Sequence, residues 1–248
     1  SEMCIRDSNA AIHQMGLWTI RLLFVALAVT PLRRILEWPR LILVRRMIGV
    51  AAFAYVLAHF SLYTADQAFD LAKVASEIVL RIYLTIGFAA LVGLAALAAT
   101  STDGMVRRLG FRRWQALHRL AYLIALLAVI HDAMQSKLDL WEPTIMAGIY
   151  AWLMGYRLLS RVAAVRGRLP VAWIAALGLA AGLLTALGEA AYFRLALGVD
   201  PVRVLGVNLS LAAGLRPAVV VALLGLAVAA AAALRAWAVP ARRRVGFA

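Results

Sequence analysis

Seven stretches of this 248-residue chain are apolar for about the length needed to cross a bilayer, which takes roughly 20 residues as a helix. They run Leu17–Leu32, Met47–Thr64, Ile78–Thr100, Trp114–Met134, Leu140–Leu159, Val171–Ala191 and Pro217–Ala238. In lipid every backbone N–H and C=O must be satisfied within the protein, and runs of this length do so as helices. Composition agrees: the chain is 65% hydrophobic and only 15% charged, too little charge for a soluble domain of this size. The expected fold is an all-α, polytopic transmembrane helix bundle of about seven spans. The first stretch is short and carries Arg21. The sixth and seventh are rich in Ala, Leu and Gly, as lipid-embedded packing helices often are.

The net charge of +14 is distributed at the ends of these runs and not in one patch, which argues against nucleic acid and for topology signals. Seventeen Arg residues fall in alternate loops: Arg33, Arg34, Arg40, Arg45 and Arg46; Arg107, Arg108, Arg112 and Arg113; Arg157, Arg161, Arg166 and Arg168; Arg235, Arg242, Arg243 and Arg244. Only Glu37 and Asp103 oppose them, whereas the intervening loops hold seven basic residues against ten acidic ones. The positive-inside rule puts the Arg-rich loops and the C-terminus in the cytoplasm and the N-terminus outside. The expected organisation is a non-native or disordered leader over 1–12, a helix bundle over 13–160 and a two-helix membrane extension over 161–248. Within the leader, Ser1–Ser8 reads as a scar that is no part of the fold. The linker Val162–Pro170 divides a half with histidines from a half without them.

Cys4 is the sole cysteine, so an internal disulfide and any cysteine-ligated zinc or iron–sulfur site are excluded. No glycine-rich phosphate loop follows a strand, so a Rossmann unit for NAD(P)H is not expected. Histidine is left as the main candidate for a transition metal. His59, His118 and His131 lie inside apolar runs, where an ionisable side chain marks function by default, and imidazole is a frequent axial ligand of haem iron. At 1.5 Å per residue, His59 lies about 20 Å from the cytoplasmic start of its helix at Arg46, and His131 about 25 Å from Trp114. His118 lies only about 6 Å from Trp114. His59 and His131 can therefore meet in the outer half across one haem. His118 sits in the inner half, about 20 Å further along the axis from His131 and roughly 140° around a straight helix, so a bend is needed for both to face one interior. Arg45 and Arg46 stand where a second-helix partner for His118 is wanted. His118 then serves a second haem with a weaker or non-histidine sixth ligand, or it binds something else.

Competing readings of these residues are structural. A lone membrane histidine is often an interhelical hydrogen-bonding residue. His13, just before the first span, reads as interfacial or solvated. Arg119 is suited to a haem propionate or a quinone, and equally to snorkelling at the cytoplasmic face. Trp114, Tyr122, Tyr55 and Tyr63 fit interfacial belts at least as well as cofactor contacts. Glu189 reads as an outer-surface residue, and Asp66, Asp70 and Glu77 as a solvated acidic outer loop.

The segments LAVTPLRRILEWPRLILVRRMIGVAAFAYVLAHFSLY (27–63), LRIYLTIGFAALVGLAALAATST (80–102) and LGFRRWQALHRLAYLIALLAVIHDAMQSK (109–137) closely resemble the MsrQ (YedZ) family, within the ferric-reductase-like transmembrane superfamily. The later GRLP (167–170), LLTALGEAAYF (183–193) and GLRPAVVV (214–221) resemble the extended C-terminal part of some members. The resemblance implies a haem-binding membrane subunit that takes electrons from the quinone pool, or from a cytosolic flavin reductase, through one or two b-type haems. The implied acceptor is a periplasmic molybdopterin-containing reductase that repairs methionine sulfoxide in envelope proteins of the bacterial inner membrane system, a lesion that makes an apolar side chain polar. The family's haem histidines match His59, His118 and His131. FMN is a further cofactor of the family, with no residue here assigned to it. Two departures stand out: the family has one more helix before the segment starting near Leu17, which reads as truncation, and Arg45 and Arg46 occupy the place of the fourth histidine of ferric reductases. The rival functions are a ferric reductase or cytochrome b561-like quinone:acceptor oxidoreductase, and a transporter or structural membrane protein with buried histidines. On any redox reading the chain carries electrons and makes no bond on a substrate by itself.

Overall fold

The computed structural model describes residues 2–136, 139–162, 169–210 and 214–238, with side chains from Asn9 onward except Leu209. Lys137, Arg166, Arg168 and Arg242 to Arg244, counted above among the topology signals, lie outside the described residues. All regular structure among the described residues is helical, and six helical stretches there are long and apolar enough to cross a membrane. The fifth expected span is a 19-residue helix, Trp141–Leu159, that is less apolar than those six because Glu142, Pro143 and Arg157 interrupt it. The chain divides into two compact units, one of Ser1–Thr30 with Arg40–Leu138 and one of Pro31–Pro39 with Asp139–Ala248.

Helix α1 (Glu2–Ile35), whose residues up to Thr30 belong to the first unit, starts well before Leu17 and takes in the backbone of residues 2–12, read above as a non-native or disordered leader. Its buried stripe of Leu17, Ile20, Phe24 and Leu27 recurs at helical spacing. Then come α2 (Ile42–Asp66), α3 (Leu71–Leu80), α4 (Ile82–Ala99), α5 (Asp103–Leu109), α6 (Phe111–His118) and α7 (Leu120–Gln135). Helices α4 and α7 pack along Ala90, Leu91, Leu94 and Leu97 on one side and Ala121, Ile124, Ala125 and Ala128 on the other.

One of the expected continuous helices is broken, at Arg81, and another is distorted at Arg119. Arg81 is extended (φ −113°, ψ 106°) between α3 and α4, and its side chain holds Glu77 and the Tyr83 hydroxyl. Asp70 caps α3 by accepting from the Lys73 amide at 2.9 Å. Arg119, between α6 and α7, keeps helical angles (φ −69°, ψ −21°), and the ladder there tightens to a Tyr122 N–H bond on the Arg119 carbonyl at 3.1 Å. His118 at the end of α6 and His131 on α7 thus ride on one 25-residue helical span, Phe111–Gln135, with the tightened turn lying between them.

The second unit packs α8 (Trp141–Leu159), α9 (Val171–Leu197), α10 (Pro201–Leu209) and α11 (Pro217–Ala238). Its closest seam joins α9 to α11 through glycines. A Cβ at Gly178 would lie 2.9 Å from the backbone of Gly225, and one at Gly182 would lie 2.9 Å from the Ala218 carbonyl. Small residues of this kind let membrane helices approach until backbone meets backbone. Gly198, at φ +68°, takes the left-handed cap of α9, and Asp200 then caps α10 through the Val202 amide.

Candidate functional site

The site lies in the first unit, where four helices converge on two imidazoles. His59 comes from α2 and His131 from α7, and their ring centres are 6.4 Å apart with the planes at 84°. Each ring is held by a backbone carbonyl of a further helix. His59 Nδ1 lies 2.8 Å from the Ile12 carbonyl oxygen on α1, and His131 Nδ1 lies 2.8 Å from the Tyr83 carbonyl oxygen on α4. A carbonyl can only accept, so both Nδ1 atoms carry the proton and donate it. Both Nε2 atoms are then bare lone pairs, the state in which imidazole binds a metal.

A cavity of about 260 Å³ opens around the two rings. Apolar side chains dominate its wall, with Phe60 and Phe88 at a 6.0 Å centroid separation, and Tyr63, Asp132 and Gln135 supplying polar groups. Gly16 and Gly87 line it directly against His59 and His131. His13, read from sequence as interfacial, is exposed but also lines this cavity, as does Asn9. Among the described residues no group of three or more His, Cys, Asp or Glu is placed to hold a metal ion. Two imidazoles with bare Nε2 atoms could each give one nitrogen ligand to a metal.

His118 and Arg119 do not line this cavity. His118 stacks on Trp114 at 4.1 Å, and its Nε2 lies 3.1 Å from the Thr100 hydroxyl. That hydroxyl also lies 2.8 Å from the Ala96 carbonyl, and its single proton can serve only one of the two bonds. His118 therefore uses in a hydrogen bond the nitrogen that His59 and His131 leave free. Trp114 donates to the Thr100 carbonyl at 2.9 Å, so an aromatic read as an interfacial anchor also braces this histidine. Arg46 of α2 pairs with Asp103 of α5 at 2.6 Å. Arg119 is exposed where α6 passes into α7.

Sequence reasoning found both imidazoles of the pair but not their supports. The Ile12 and Tyr83 carbonyls are backbone atoms with no residue code, and Gly16 and Gly87 acquire meaning only once the register between helices is known.

Comparison with known proteins places this arrangement. Residues 15–129 match the family model described as the ferric reductase like transmembrane component, a stretch that includes His59 and His118 and ends just before His131. A Rhodospirillum rubrum protein named as the protein-methionine-sulfoxide reductase heme-binding subunit MsrQ is 46% identical over 164 residues, covering 65% of this chain and 79% of the relative. The chain belongs to the MsrQ family. Proteins of the same name from Herminiimonas arsenicoxydans and Xanthomonas campestris pv. campestris are each 45% identical, over 56% and 62% of this chain and 65% and 71% of their own lengths. No solved structure matches the chain. Like the transmembrane family it matches, this MsrQ-family chain is a multi-pass membrane protein.

Proposed function

We propose that this MsrQ-family chain is a b-type haem electron-transfer subunit, with His59 and His131 as the two axial ligands of an outer haem. The observation that carries the reading is the matched pair of imidazoles, each locked through Nδ1 and each with a free Nε2. His59 and His131, with ring centres 6.4 Å apart, would hold the iron through these Nε2 nitrogens. When bound, the haem supplies one-electron chemistry at iron. The chain's own contribution is to fix ligand tautomer and orientation and to surround the site with apolar wall, both of which tune an iron centre.

His118 and Arg119 serve the inner, entry side, where His118 either ligates a second haem or contacts the electron donor. The Thr100 bond to its Nε2 supports the latter. The donor is the quinone pool or a cytosolic flavin reductase. The acceptor is a periplasmic molybdopterin-containing methionine-sulfoxide reductase, the system for which the relatives are named. The Arg-rich loops face the cytoplasm of a bacterial inner membrane, which puts the His59–His131 pair toward the periplasm.

The visible spectrum of the purified full-length chain, expressed with haem supplied, tests this. The expected result is a six-coordinate low-spin b-type spectrum, lost or converted to high spin by His59→Ala and by His131→Ala. A colourless preparation, or variants with unchanged spectra, would overturn the haem assignment. Capture of a molybdopterin protein by the tagged chain is expected on the methionine-sulfoxide reading, whereas reduction of ferric chelates without any such partner would favour a ferric reductase.

A further inference from the structure

The two candidate ligands are built to one local rule. His59 takes the carbonyl of Ile12 and packs on Gly16; His131 takes the carbonyl of Tyr83 and packs on Gly87. In both cases the glycine lies four residues after the accepting residue, on the same helix. Helix geometry explains the spacing. A side chain at i+4 leans toward the helix N-terminus and covers the turn before it, where the carbonyl of residue i lies. Glycine at i+4 leaves that carbonyl uncovered, although the helix amide ladder already uses it. A planar ring from another helix can then lie flat on the gap and donate to the second lone pair of the carbonyl.

We infer that Gly16 and Gly87 are positioning residues for the haem ligands, each opening a carbonyl window that sets the tautomer and the plane of one histidine. This rests on the haem-pair reading of His59 and His131. The two windows differ in tightness. A Cβ at Gly87 would lie 2.7 Å from Cε1 and Nδ1 of His131, closer than real side chains tolerate. A Cβ at Gly16 would lie 3.2 Å from the same atoms of His59, which a shift of a few tenths of an ångström relieves. Gly93 supplies an internal control. It lies on the same helix as Gly87, and its Cβ would meet Ile124 at 2.8 Å, the flexible end of a side chain that touches neither imidazole carbonyl bond.

The experiment compares Gly16→Ala, Gly87→Ala and Gly93→Ala in the full-length protein. Readouts are haem retained per chain, the low-spin spectrum, the midpoint potential and, on protein prepared without haem, the histidine tautomers by nitrogen-15 NMR. Gly87→Ala is expected to weaken haem retention by about tenfold or more, as loss of an outer-shell partner does. It should also raise the midpoint potential, because an imidazole without its carbonyl acceptor is a weaker donor to ferric iron. Gly16→Ala should move the same quantities less, and Gly93→Ala should leave them at wild type. Wild-type behaviour of Gly87→Ala, or an equal effect from Gly93→Ala, overturns the inference. If Gly87→Ala does not accumulate, Gly16→Ala decides: a shifted potential or an altered His59 tautomer supports the window, and no change in either overturns it. A wild-type chain that binds no haem defeats the function proposed above, while the tautomers still report on the glycines.

Discussion

A carboxylate among alanines and leucines is costly in lipid, and Glu189 on α9 meets that cost with two partners. The residue is 7% exposed, its Oε1 pairs with Arg216 and its Oε2 accepts from Asn208 at 2.9 Å. Its sequence neighbourhood reads as an outer helix end, and the structure corrects this: Glu189 is interior to the second unit. The partners lie 19 and 27 residues further along the chain, in α10 and just before α11, a spacing that no local pattern announces. Removing one member of such a pair strands the other. Glu189→Ala is expected to destabilise the chain by about 3 kcal/mol, read as a lowered midpoint in detergent unfolding. Glu189→Ala combined with Arg216→Leu should recover part of the loss, and strict additivity of the two would show that the pair is not coupled. His59 and His131 illustrate the complementary case. Their burial in apolar runs was legible residue by residue, but which ring nitrogen is free depended on carbonyls from α1 and α4.

At the scale of elements, hydropathy marks where a span lies but not whether it is one helix. Arg81 interrupts one of the expected spans, whereas Arg119 keeps helical angles and only tightens the ladder of another. The signal was present as charge inside an apolar run, yet an arginine alone does not distinguish a break from a snorkelling side chain. The α9–α11 seam is the opposite case, since glycine and alanine richness announced close packing and the structure shows backbone contact at Gly178 and Gly225. Gly178→Leu should wedge these helices apart, at a cost of about 1–3 kcal/mol or more because backbone cannot yield as a side chain would. Faster proteolysis of the second unit, with the spectrum of the haem site unchanged, is the expected observation. Loss of the haem signal in that variant would contradict the division into two units.

The whole molecule is organised by charge as much as by apolarity. Four Arg-rich stretches alternate along the sequence with stretches that together hold seven basic and ten acidic residues, and the proposed orientation rests on that asymmetry. In a Cys4→Ser background, Asp70→Cys should react with a membrane-impermeant thiol reagent added outside intact cells. Arg108→Cys should react only after the membrane is opened, and the reverse pattern would invert the topology.

Helical class, span count to within one and the candidate ligand histidines were legible in the one-dimensional order, because lipid demands long apolar helices and makes any histidine within them conspicuous. Tertiary structure decided the rest. It brought the rings of His59 and His131 to 6.4 Å, assigned His118 a hydrogen bond through the nitrogen its counterparts leave free, and gave Glu189 its partners. The physical reason is common to all three: each depends on the register between helices far apart in sequence, where a backbone carbonyl, a missing Cβ or a countercharge acts only at contact distance.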